Sequence, residues 1–129
     1  MGQPWRIVYY ETREGRCPVE AFIRSQKARQ RAKILNWIEL LENSGPQLPR
    51  PYADLLTDGI HELRIKVSGD QIRILYFFCY KNYIVLTHPF TKGTSRVSPT
   101  EIAQAQHCRD DFLKRFTETS LTEAYDEDL

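Results

Sequence analysis

"HELRIKVSGDQIRILYF", His61 to Phe77, is a β-hairpin written in alternating letters. Side chains point to opposite faces along a strand, so Leu63, Ile65 and Val67 share one face and Glu62, Arg64 and Lys66 the other. After a turn at Ser68-Gly69-Asp70, Ile72, Ile74, Tyr76 and Phe78 lie opposite Arg73, Leu75, Phe77 and Cys79. The second strand is therefore apolar on both sides apart from Arg73, which is the pattern of a central strand. If the odd-numbered set joins the Arg64 face, two guanidinium groups converge from neighbouring strands. They repel unless an anion lies between them, and a guanidinium fork suits carboxylate and phosphate alike. Pattern alone leaves both readings open: ion pairing of Arg64 with Glu62 or another acid, or a phosphate clamp.

Outward from the hairpin, a turn at Lys81-Asn82 leads to a third strand, Tyr83 to Phe90, completing an antiparallel meander. It runs into "THPFTKGTSR", which brings His88, Lys92 and Arg96 toward the same open face. A histidine there suits acid-base chemistry near neutral pH, or a purely structural place in the sheet. Upstream, "WRIVYY", residues 5–10, reads as a first strand, and Pro18 suits the first turn of a helix. Val19, Phe22 and Ile23, then Ile34, Leu35, Trp37, Ile38 and Leu41, have helical spacing, giving two helices or one broken near Lys27 to Arg31. The basic run "KARQRAK" fits a solvated helix face or a nucleic-acid contact. "NSGPQLPRPYADLLTDG", residues 43–59, reads as a connection. "SPTEIAQAQHCRDDFLKRF" opens with Ser98 as N-cap, Pro99 in the first helical position and Glu101 three residues on, so it is the best-marked helix. The order β-α-α-β-β-β-α implies an α+β fold: a small antiparallel sheet with helices packed on one face.

The 129 residues suffice for one core, expected over 1–117, with 118–129 as an acidic, flexible tail. A net charge of +1 conceals a split: the first 117 residues carry +6 and the last 12 carry −5. Such a tail either solubilises the domain or folds back over its basic face. No apolar run approaches the roughly 20 residues of a membrane span, and the first ten residues lack the pattern of a secretory leader. Cys17, Cys79 and Cys108 are widely spaced and suggest no disulfide framework, so a cytoplasmic location is expected. The histidines and cysteines lack metal-ligand spacing, and neither a metal nor a cofactor is expected.

The stretch from Leu55 to about residue 113 resembles the RelE/ParE toxin superfamily, in particular its phage-derived HigB-like toxins. "DGIHELR", "RILYF", "IVLTHPFTK" and "SPTEIAQA" follow in the order of that group's motifs. The resemblance implies a microbial-ribonuclease-like fold and the toxin of a toxin-antitoxin module, cleaving mRNA on the ribosome. Its partner would be a helix-turn-helix, HigA-like antitoxin. Carried over by position, Arg64, Arg73, Lys92 and His88 would be catalytic, while Lys66 and Arg96 would bind substrate. Gly93 stands where a second lysine is usual, and Pro89 replaces a glycine. The implied chemistry is attack of the ribose 2′-OH on its own phosphate, which needs alignment, charge stabilisation and two proton transfers. Two other readings stay open: a ParE-like, noncatalytic inhibitor of DNA gyrase, and an inert homologue kept for operon regulation.

Overall fold

The computed structural model describes residues 5–93 and 96–126. The first four residues and the last three of the acidic tail lie outside the described residues. The elements run β1 (Arg6–Tyr9), α1 (Pro18–Ser25), α2 (Ala28–Ser44), β2 (Ala53–Thr57), β3 (Ile60–Val67), β4 (Asp70–Cys79), β5 (Tyr83–Thr91), α3 (Pro99–Arg115) and α4 (Glu118–Asp126). The five strands form one sheet in the order β1-β5-β4-β3-β2. All neighbours are antiparallel except β1 and β5, the parallel pair, between which the chain runs through α1, α2, β2, β3 and β4. The fold is α+β, as the order of elements implies, with two elements beyond it.

The first addition is β2, inside the segment expected to be a plain connection. Asp58 and Gly59 both adopt positive φ, 50° and 75°, the twist that closes a two-residue hairpin onto β3. Arg109 of α3 clamps that turn through Asp58, Nη2 to Oδ2 at 2.7 Å. The second is α4: residues 118–126, expected to fray, form a helix whose Leu121 is 0% exposed.

Helices cover both faces of the sheet where one was expected. On one side Val19, Ile23, Ile34, Ile38 and Leu41 of α1 and α2 meet Leu63, Ile65, Ile74, Ile84 and Leu86. On the other, Ala105, Cys108 and Phe112 of α3 and Leu121 of α4 meet Ile60, Leu75, Phe77, Tyr83 and Val85. The apolar letters on both sides of β4 require this, because each face must be taken out of water. Ser98 caps α3 as expected, its Oγ accepting from the Glu101 N–H at 3.3 Å. Among the described residues no helix is long and apolar enough to cross a membrane, and all three cysteines are free.

Candidate functional site

The α3 face of the sheet changes character along its length. Its apolar half lies under α3 and α4, and its other half is built of charged rows. Arg64 pairs with Arg73, and Arg73 with Phe90, across β3, β4 and β5. The next row outward is Lys66 opposite Gln71, with the Lys92 N–H donating to the Gln71 carbonyl at 2.7 Å. The row inward is Asp54, Glu62, Leu75 and His88. Paired residues share a face, so Arg64, Lys66, Arg73, His88 and Lys92 all stand on one side.

That gathering depends on a bulge. Leu86 pairs with Tyr76, but His88 pairs with Leu75, leaving Thr87 as the extra residue. The Thr87 hydroxyl is buried and donates to the Leu75 carbonyl at 3.2 Å. Without this step, alternation from Ile84 and Leu86 would carry His88, Phe90 and Lys92 to the α1-α2 face.

Between the arginines sits Glu62, 2% exposed. Its Oε2 accepts from Arg64 Nη2 at 3.1 Å, and its Oε1 lies 2.9 Å from Arg73 Nε, an ion pair without hydrogen-bond alignment. Arg64 also donates to Asp54 Oδ2 at 3.2 Å. Burial alone would raise the Asp54 pKa, but Arg50 and Arg64 overcome it and hold the carboxyl below its usual range. Arg73 is 6% exposed, and its remaining nitrogens donate to the Ile72 carbonyl and the Gln71 side chain, each at 3.2 Å. Burial pulls its pKa down from the ordinary arginine value and Glu62 opposes that. The structure thus shows the ion-pairing reading: the arginines converge, and the Glu62 carboxylate stands between them.

A pocket of about 370 Å³ opens beside this cluster, at the entry to β2, where the outer edge of β3 runs on beyond Leu63. Its lining joins Arg64, Lys66, Arg73 and Gln71 with Trp37, Pro51, Tyr52 and Ile65. Trp37 and Tyr52 have ring centroids 5.2 Å apart, tilted by 45°. Sequence reasoning placed Trp37 in the helical core stripe, named Glu62 as an ion-pair partner of Arg64 and passed over Tyr52. The alternation that puts Glu62 with Arg64 was the signal for the acid; nothing in the spacing joins Trp37 to Tyr52.

His88 lies on the arginine face with its ring buried. Its Nε2 is 3.1 Å from Glu101 Oε1 and its Nδ1 is 3.2 Å from Thr87 Oγ1. Burial lowers its pKa below 6.5, against the opposing pull of Glu101. Arg96 is exposed in the connection between β5 and α3, and Lys66 is exposed at the end of β3. Gly93 has open space where a side chain would begin. Among the described residues no group of three or more His, Cys, Asp or Glu side chains is placed to hold a metal ion.

No curated protein matches the sequence. The family described as phage derived protein Gp49-like (DUF891) matches residues 21–110, which contain α2, the whole hairpin region and most of α3. With most of its length matched, the chain belongs to this Gp49-like family, which is associated with the toxins of toxin-antitoxin modules.

Proposed function

We propose that this protein is the toxin of a toxin-antitoxin module and an endoribonuclease that cuts single-stranded mRNA, in the manner of the HigB-like toxins it resembles. The observation that carries this reading is the placement of Arg64 opposite Arg73 with Lys66 and Lys92 in the adjacent row. Four cations around two carboxylates leave a net positive site on a face that α3 does not fill. In this mechanism the scissile phosphate competes with Glu62 and Asp54 for Arg64, and the guanidinium stabilises charge that builds on the phosphoryl oxygens. Arg73 supports Arg64 and the electrostatic field from within. Lys92 serves the proton steps, and Lys66 and Arg96 hold the flanking backbone. The nucleophile is the 2′-OH, so the substrate is RNA rather than DNA. His88, held between Thr87 and Glu101, acts by fixing the start of α3 against β5. The partner is a helix-turn-helix antitoxin that covers charges or blocks the face, and the site of action is the cytoplasm, on translating ribosomes.

The noncatalytic reading, a gyrase-type inhibitor or an inert homologue, draws on a different observation. Glu62 and Asp54 already neutralise the arginines, and Gly93 carries no cation. Primer extension on mRNA after brief induction separates the two. Discrete cuts that disappear in Arg64→Gln and Lys92→Gln support the nuclease. Intact mRNA with impaired supercoiling supports the gyrase inhibitor, and normal growth supports the inert homologue. Arg73 is the wrong probe, because its removal strands a buried carboxylate.

A further inference from the structure

We propose that the pocket between Tyr52 and Lys66 is a nucleobase subsite, in which one unstacked base of single-stranded RNA lies against Tyr52 and Trp37 while its phosphate rests on Arg64 and Lys66. This deepens the ribonuclease reading and rests on it. Four observations carry it.

The cations share the pocket lining with two aromatic rings. Tyr52 is 39% exposed and Trp37 half-buried, although an exposed ring gains nothing from facing water beside three charged side chains. A basic groove with an aromatic platform is the combination that binds single strands, since every base has a π-face and every nucleotide a phosphate. The tilt of 45° between the rings makes an open angle rather than a closed stack, so Tyr52 keeps a face for a third ring.

The platform is also fixed relative to the cations. The Tyr52 carbonyl accepts from the Arg64 N–H at 2.8 Å, and the Tyr52 N–H donates to the Pro49 carbonyl at 2.9 Å. The ring and the guanidinium therefore ride on adjacent, hydrogen-bonded backbone, and a base and its phosphate would meet two groups whose separation is already set.

The volume of about 370 Å³ is at the small end of ligand pockets and fits one nucleotide, not a duplex. Recognition in it requires a base that is already splayed out, as in single-stranded RNA. Finally, the Gln71 side-chain oxygen accepts from Arg73, which orients the amide and leaves its NH₂ as a donor at the pocket wall. The two cations, the two rings and this donor belong to α2, the β2 entry, β3 and β4, so only the folded chain assembles them.

The test uses the full chain and a short single-stranded RNA that carries 2-aminopurine and 2′-O-methyl groups, which prevent cutting. Wild type is expected to bind it and quench the 2-aminopurine emission. Tyr52→Phe keeps affinity and quenching, whereas Tyr52→Leu weakens binding about tenfold or more and loses quenching. Lys66→Gln weakens binding but keeps quenching at saturation, because the ring remains. Thermal unfolding of each variant shows whether it is folded; if Tyr52→Leu is not, quenching by wild type alone decides. Saturable binding without quenching, or equal affinity for wild type and a folded Tyr52→Leu, overturns the subsite and leaves the nuclease reading standing. No RNA binding by wild type, together with intact mRNA in induced cells, overturns both.

Discussion

Arg64 and Arg73 stand opposite each other across the β3-β4 ladder, and one buried carboxylate, Glu62, meets both. The pairing resolves the question that a hairpin with internal arginines raises. Like charges at this spacing repel, and Glu62 supplies the counter-charge inside the fold, leaving Arg64 to reach the pocket.

Glu62→Gln is expected to destabilise the protein by about 3–5 kcal/mol, because Arg73 is then a buried charge without its partner. Replacing both, with Glu62→Leu and Arg73→Met, should recover much of that loss, since an apolar pair avoids desolvating charge. Urea unfolding of the single and double variants measures the difference; a neutral Glu62→Gln would mean that solvent, not Glu62, compensates Arg73.

Gly93→Lys restores a cation where the resemblance expects one. A side chain there begins in open space, so stability should change by no more than about 0.5 kcal/mol. RNA affinity should rise, and the slope of log K against log salt should steepen by about 0.7 for one added phosphate contact. Binding measured over a series of salt concentrations would show this, and an unchanged slope would place residue 93 away from the RNA.

The C-terminal helix is structural. Leu121→Ala should cost about 2–5 kcal/mol, because the side chain is fully buried against the second core. Thr122 Oγ1 lies 3.3 Å from the Tyr83 hydroxyl, and Tyr83 pairs with Cys79 at the end of β4 away from Arg73. Six residues of strand, about 20 Å, separate them. The described part of the tail therefore does not shield the arginines. A chain ending at Thr117 should lose stability in calorimetry but not tighten on RNA at low salt; tighter binding would revive the shielding idea.

Acid should weaken the fold in two windows. Burial lowers the pKa of His88 and of His61, with Glu101 and Asp54 respectively opposing it. Below about pH 6.5 the unfolded histidines take up protons that the folded ones refuse, so stability is full above that value and declines beneath it. Asp58 and Asp111 are held low, chiefly by hydrogen bonds from Arg109 and Tyr10 respectively, and Asp54 by Arg50 and Arg64 despite its burial. Their contribution is complete above about pH 3.9 and lost as pH falls below it. Melting curves from pH 7.5 to 4.5 should slope downward, and His61→Phe with His88→Gln should flatten that slope; an unaltered slope would assign it to other groups.

Much of the fold was legible because local rules acted alone. Pro18 and the Ser98-Pro99-Glu101 cap mark α1 and α3, and alternation marks β3 and β4. β2 was missed because the prolines before it and its short, half-exposed strand read as a loop, although Asp-Gly is a pair that suits a two-residue hairpin. α4 escaped because its acidic composition conceals its apolar anchor, Leu121 in the core made by Tyr83 and Phe112. The site was legible in part. Arg64 and Lys66 follow from strand parity and Arg73 joins them through the β3-β4 register, whereas Trp37 and Tyr52 come together only when α2 and the β2 entry pack beside β3.

By itself, the sequence determined the α+β order of elements, the apolar double face of β4 and the sharing of one face by Glu62, Arg64 and Lys66, since each follows from periodicity within a few residues; the β3-β4 register then set Arg73 opposite Arg64. The tertiary structure alone decided which face receives His88, Phe90 and Lys92. Counting along β5 from Tyr83 sends them to the wrong side, and one extra residue, Thr87, opposite the Leu75-Tyr76 step reverses it. A bulge forms where neighbouring strands and buried hydrogen bonds make it cheaper than a regular ladder, and that balance involves residues far apart in the chain.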